Sequence, residues 1–112
     1  MRLSLLLIGL LLGSLLALSQ EALPQMTSVD PDSAKAGSVV TAVGANLTKE
    51  RVTKVYLTDG TKDYPMQITE QADKTLKFKV PDDMKSGRWA LMILTGGREP
   101  RLVEQPVKLT IE

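Results

Sequence analysis

The chain has 112 residues, with 14 basic and 13 acidic side chains, no cysteine and no histidine. That length bounds it to a single domain, and the missing cysteine excludes both disulfide staples and a lipid anchor on cysteine. The missing histidine removes the commonest general base and the commonest metal ligand, which excludes Ser–His catalysis and His-ligated metal centres together.

The first segment, "MRLSLLLIGLLLGSLLALS", opens on Arg2 and continues as an apolar run of 16 residues from Leu3 to Leu18. At about 1.5 Å per helical residue the run is shorter than a bilayer core of roughly 30 Å. Ala17-Leu18-Ser19 then supplies the small residues that a signal peptidase reads. Residues 1–19 are therefore expected to be a secretory signal cut after Ser19, which would make the protein secreted or periplasmic. Kept uncleaved, the same run would be an N-terminal anchor and the chain's one contact with a membrane. Residues 20–25 form a short extension before a domain spanning 26–112. Without Arg2 the basic and acidic side chains balance at 13 each. A neutral chain has no general pull on a polyanion, so nucleic acid is not an expected partner.

From Met26 onward, turn residues recur at the rhythm of a small antiparallel β-protein. "MTSVDP" reads as a first strand ended by Pro31, and "SVVTAVG" as a second between Gly37 and Gly44. "VTKVYLT" is a third, stopped by Asp59-Gly60, a strong turn dipeptide. "KDYPMQIT" is a fourth, and its Pro65 lacks the N–H for a ladder, which assigns it to a sheet edge. "KTLKFKV" alternates cleanly, "RWALMILT" follows the turn at Ser86-Gly87, and "QPVKLTIE" closes the chain. The expected fold is all-β: seven strands in an antiparallel β-sandwich after a helical signal segment. The phases place Val29, Val40, Ala42, Val55, Leu57, Ile68, Leu76, Phe78, Val80, Trp89, Leu91, Ile93, Val107, Leu109 and Ile111 in the core.

The order of these signals resembles the immunoglobulin-like IPT/TIG domain of plexins and transcription factors. The residues that carry the resemblance are Ser28, Pro31, Gly37, Gly44, Asn46 and Leu47, then "VTKVYLTDG", then Val80, Pro81, Gly87, Trp89, Leu91 and Ile93. The resemblance covers about Met26 to Ile111. Leu47 stands where the family usually has Phe, and Leu57-Thr58 where it more often has Phe-Gly. The resemblance implies an immunoglobulin-like fold and an extracellular interaction or spacer role. Gly44 and Asn46 are expected to turn the backbone sharply, with positive φ.

No stretch carries catalytic chemistry. The serines have no histidine to activate them, and a formal Ser–Lys pairing such as Lys85-Ser86 is read as a turn beside a solvated lysine. Asp59-Gly60-Thr61-Lys62-Asp63 places a lysine among would-be calcium ligands and lacks the closing glutamate, so no metal and no cofactor are expected. Asn46-Leu47-Thr48 is a formal glycosylation sequon.

The sixth strand is different. If Trp89, Leu91 and Ile93 face inward, then Ala90, Met92 and Leu94 face out, joined by Tyr56 from the third strand. A solvated strand face should be polar, so an apolar one marks an interaction surface unless a loop or the segment Asp63 to Ile68 covers it. The sequence thus points to a non-catalytic binding module for another protein or a surface polysaccharide, with weak self-association as a variant. The alternative is a carbohydrate-binding module using Tyr56 and Tyr64, the two aromatics not assigned to the core. A small hydrolase is a distant third.

Overall fold

The computed structural model of the chain describes residues 23–112. The expected signal segment and its cleavage point lie outside the described residues. Eight strands follow one another: β1 (Gln25–Asp30), β2 (Ser33–Ala34), β3 (Val39–Ala45), β4 (Val52–Thr58), β5 (Asp63–Gln71), β6 (Thr75–Lys79), β7 (Gly87–Thr95) and β8 (Leu102–Ile111). Among the described residues there is no helix. The all-β expectation therefore holds, with one strand more than the seven expected. The addition is β2, whose two residues are too few to show a period.

The strands form one mixed sheet in the order β1-β3-β6-β5-β4-β7-β8-β2. Every pairing is antiparallel except that of β2 with β8, which is parallel and corrects the all-antiparallel expectation. Beta-5 is where the sheet folds over. Asp63 to Met66 pair only with β4, whereas Gln67 to Gln71 pair only with β6. Pro65 lies in the first half, opposite Tyr56, with no ladder partner on its other side. The strand is central in the order, not at an edge as expected, yet at Pro65 itself the missing N–H leaves no ladder bond unmade.

The far ends of the sheet approach each other and nearly close it into a barrel. The buried backbone N–H of Met26 in β1 donates to Gln105 Oε1 in β8 at 2.7 Å. Gln105 reaches inward because β8 is irregular there: Ala90 pairs with Lys108 but Met92 with Glu104, which leaves extra residues in β8 opposite Leu91. Gly44 permits a second close approach. A Cβ at this position would fall on the carbonyl oxygen of Gln25, beside the irregularity between Met26 and Ser28. Gly44 is thus required for strand contact and does not itself have positive φ; Asn46 does, at 60°.

The core is a single cluster in which Val40, Ala42, Val55, Leu57, Leu76, Phe78, Leu91, Ile93 and Leu109 are fully buried. Burial of one such larger side chain contributes roughly 1.5–3 kcal/mol. Ile68 and Val107, expected inside, are only partly buried against this cluster. Both sit beside ladder irregularities, where the alternation of faces loosens. Val29, Val80, Trp89 and Ile111 are buried as expected, and Met26, Ala34, Leu47, Val52, Met66 and Met84 join them. The closest aromatic contact joins Tyr64 and Trp89 edge to face, with centroids 5.4 Å apart and planes at 89°.

Candidate functional site

Beta-4, β7 and β8 are neighbours whose alternate side chains point away from the core. On β7, Trp89, Leu91 and Ile93 are buried while Ala90, Met92 and Leu94 are partly exposed. The register sets Tyr56 directly opposite Met92, Lys54 opposite Leu94, and Thr58 opposite Ala90. On the other side of β7, Leu102 pairs with Leu94, Glu104 with Met92, and Lys108 with Ala90. Tyr56, Ala90, Met92 and Leu94 thus lie on one continuous outer face. Leu102, 53% exposed, extends the apolar row at one side, and Pro65 flanks Tyr56 at the other. Sequence reading omitted both, because cross-strand register rather than local alternation places them there.

The segment Asp63 to Ile68 does not lie over this face. Its Tyr64 and Met66 turn inward, and its Asp63, Pro65 and Gln67 are exposed. One end of the face is bounded by the β4–β5 turn, which is built by side-chain acceptors. Asp59 Oδ1 accepts from the N–H groups of Thr61 and Lys62, both at 2.8 Å, and Thr58 Oγ1 accepts from that of Gly60 at 3.0 Å. The backbone N–H of Lys62, then that of Thr61, hold the Asp59 carboxyl below its ordinary value of 3.8. These bonds explain the aspartate without invoking a metal. Among the described residues, no three His, Cys, Asp or Glu side chains gather where they could hold an ion.

Tyr64 leans on Trp89 beside Met84 and Pro81, around a hollow of about 170 Å³. The Trp89 indole N–H donates to the Lys85 carbonyl at 3.1 Å. In the sequon, Asn46 Nδ2 donates to the Leu23 carbonyl at 3.4 Å, and Leu47 is buried.

No family model matches the chain, and no curated protein matches it. Similarity appears in three dimensions. A protein of unknown function from Bacteroides thetaiotaomicron superposes with a TM-score of 0.68 at 20% identity, over 83% of this chain and 22% of that one. A candidate phosphatase from the same species gives 0.58 at 18% identity, over 81% and 18%. An auxiliary nutrient binding protein from Bacteroides ovatus gives 0.58 at 17% identity, over 82% and 21%. The chain spans about a fifth of the length of each of these structures. At such identities the likeness shows a shared fold and nothing of shared chemistry.

Proposed function

We propose that this is an exported, non-catalytic module of the immunoglobulin-like IPT/TIG type that binds another protein through the outer face of β4, β7 and β8. The finer fold assignment draws on two supports. The motif order from Ser28 to Ile93 is one, and the way β5 divides its pairing between β4 and β6 is the other. Export draws on the apolar run of residues 3–18 behind Arg2.

The observation that carries the binding role is the row Tyr56, Met92, Leu94 and Leu102, side chains left partly exposed on three adjacent strands. Apolar side chains gathered on a sheet face gain free energy by meeting a complementary surface. Their rim of Lys54, Glu104 and Lys108 suits a polar border around an apolar centre. A sugar-stacking platform would need several exposed rings, and Tyr64 is turned onto Trp89, leaving Tyr56 alone. The protein reading is therefore preferred to the carbohydrate one.

The test uses the immobilised protein to capture partners from the culture's exported fraction, followed by mass spectrometry. A partner retained by the natural chain and lost with Met92→Lys or Leu94→Asp supports the reading. Equal retention by natural and substituted chains removes it. Sedimentation at rising concentration separates a second copy of this chain from a different partner.

A further inference from the structure

At the end of the molecule reached by the β7–β8 hairpin there is an open groove of about 800 Å³, lined among others by Arg51, Arg98, Arg101, Glu50 and Glu99. Its volume lies within the range of roughly 300–1,000 Å³ usual for small-molecule sites. The floor is fixed by the backbone. Gly96 N–H donates to the Arg51 carbonyl at 2.9 Å, and a Cβ on Gly96 would fall on the Glu50 carbonyl oxygen. The hairpin is pinned at its base, where Thr95 N–H donates to the Arg101 carbonyl and Arg101 N–H to Thr95 Oγ1, both at 2.9 Å. The turn that carries Arg98 and Arg101 is therefore held against the β3–β4 loop that carries Glu50 and Arg51.

The guanidinium groups of Arg98 and Arg101 have no ion-pair or hydrogen-bond partner among the described residues. Glu50 and Glu99 lie in the same groove and are not paired with them. The wall thus presents unused fork-shaped donors beside unused carboxylate acceptors. A guanidinium matches the two oxygens of a carboxylate, whereas a carboxylate matches hydroxyl donors. Acidic sugars carry both groups on one ring.

We infer that this groove is a binding site for an acidic saccharide, with Arg98 and Arg101 receiving its carboxylate and Glu50 and Glu99 its hydroxyls. The groove adjoins the apolar face at Leu94 and Leu102, but none of its four charged side chains belongs to that face, so the two readings are tested by different substitutions.

Isothermal titration calorimetry at low ionic strength tests it, with trigalacturonate as the probe, maltotriose as its neutral counterpart and sodium sulfate as the bare anion. Trigalacturonate binds the natural chain in this reading, and affinity falls about tenfold or more in Arg98→Ala/Arg101→Ala, as expected for lost hydrogen bonds between charged groups. Glu50→Gln/Glu99→Gln weakens trigalacturonate without weakening sulfate. Arg88→Ala/Lys35→Ala, an equal loss of two positive charges outside the groove's lining, leaves both unaltered. Absent binding, or trigalacturonate binding that survives the double arginine change, overturns the inference. So does sulfate binding as tightly as trigalacturonate with the same arginine dependence, which would mean an adventitious ion only.

Discussion

Asp59 shows how much one exposed side chain can determine at a turn. Its carboxylate closes the β4–β5 connection by accepting two backbone N–H groups, and those bonds favour its charged form. Because its folded-state value is depressed, the folded chain binds fewer protons than the unfolded chain in the acid range. Its contribution is complete above the ordinary carboxylate value of 3.8 and is lost as pH falls through the lower folded value. Asp59→Ala should therefore melt at lower temperature than the natural chain at neutral pH. The gap should narrow as pH drops below about 4, which thermal melts across a pH series would record. Gly44 acts by absence of a side chain. Gly44→Ala would press a methyl group onto the Gln25 carbonyl oxygen, and β1 would have to leave β3 to admit it. Overpacking of this kind costs about 1–3 kcal/mol, with a backbone obstacle at the upper end, and denaturant unfolding would measure it. Asn46, whose short polar side chain tolerates the left-handed region, takes φ of 60°.

At the scale of the element, period-two alternation was legible wherever a strand keeps one face on the core throughout. "KTLKFKV" and "RWALMILT" are the clear instances: Leu76 and Phe78 are fully buried on either side of the exposed Lys77, and Leu91 and Ile93 alternate with half-exposed neighbours. What escaped notice follows from breaks in that period. The β4–β7 register shifts between Val52 and Lys54, which hides Val52 from a phase counted back from Val55. Leu47 and Met84 are buried from connections, where no alternation exists to announce them. The outer apolar face was legible on β7 from its own alternation, yet Leu102 joins it only through pairing across strands. The difference between regular and irregular stretches has an energetic counterpart. Leu76→Ala and Leu109→Ala should each cost about 2–5 kcal/mol, the range for a deleted core leucine. Val107→Ala and Ile68→Val, at half-buried positions beside ladder irregularities, should cost visibly less. Chemical unfolding of the four variants at constant m-value would rank them.

For the molecule as a whole, the decisive contact is the one that draws β1 to β8 at the two ends of the sheet's hydrogen-bonded order. Its position could not be foreseen, since a glutamine next to Pro106 reads as a polar strand residue and only the irregularity opposite Leu91 turns it inward. Once buried, its Oε1 is the acceptor of the Met26 N–H, and a buried donor without an acceptor costs about 1–3 kcal/mol. Gln105→Leu keeps the side chain's bulk and removes that acceptor. The variant should lose about that much stability, with the Met26 amide exchanging faster with solvent. Trp89, 6% exposed within the β7 face of the core, should retain the blue-shifted emission of a buried indole, because the change loosens only the closure. If the Met26 amide kept its protection in Gln105→Leu, the near-barrel would have to be held shut by packing of β1 on the core alone. The glutamine would then be filling space at the irregularity in β8 and no longer acting as its latch.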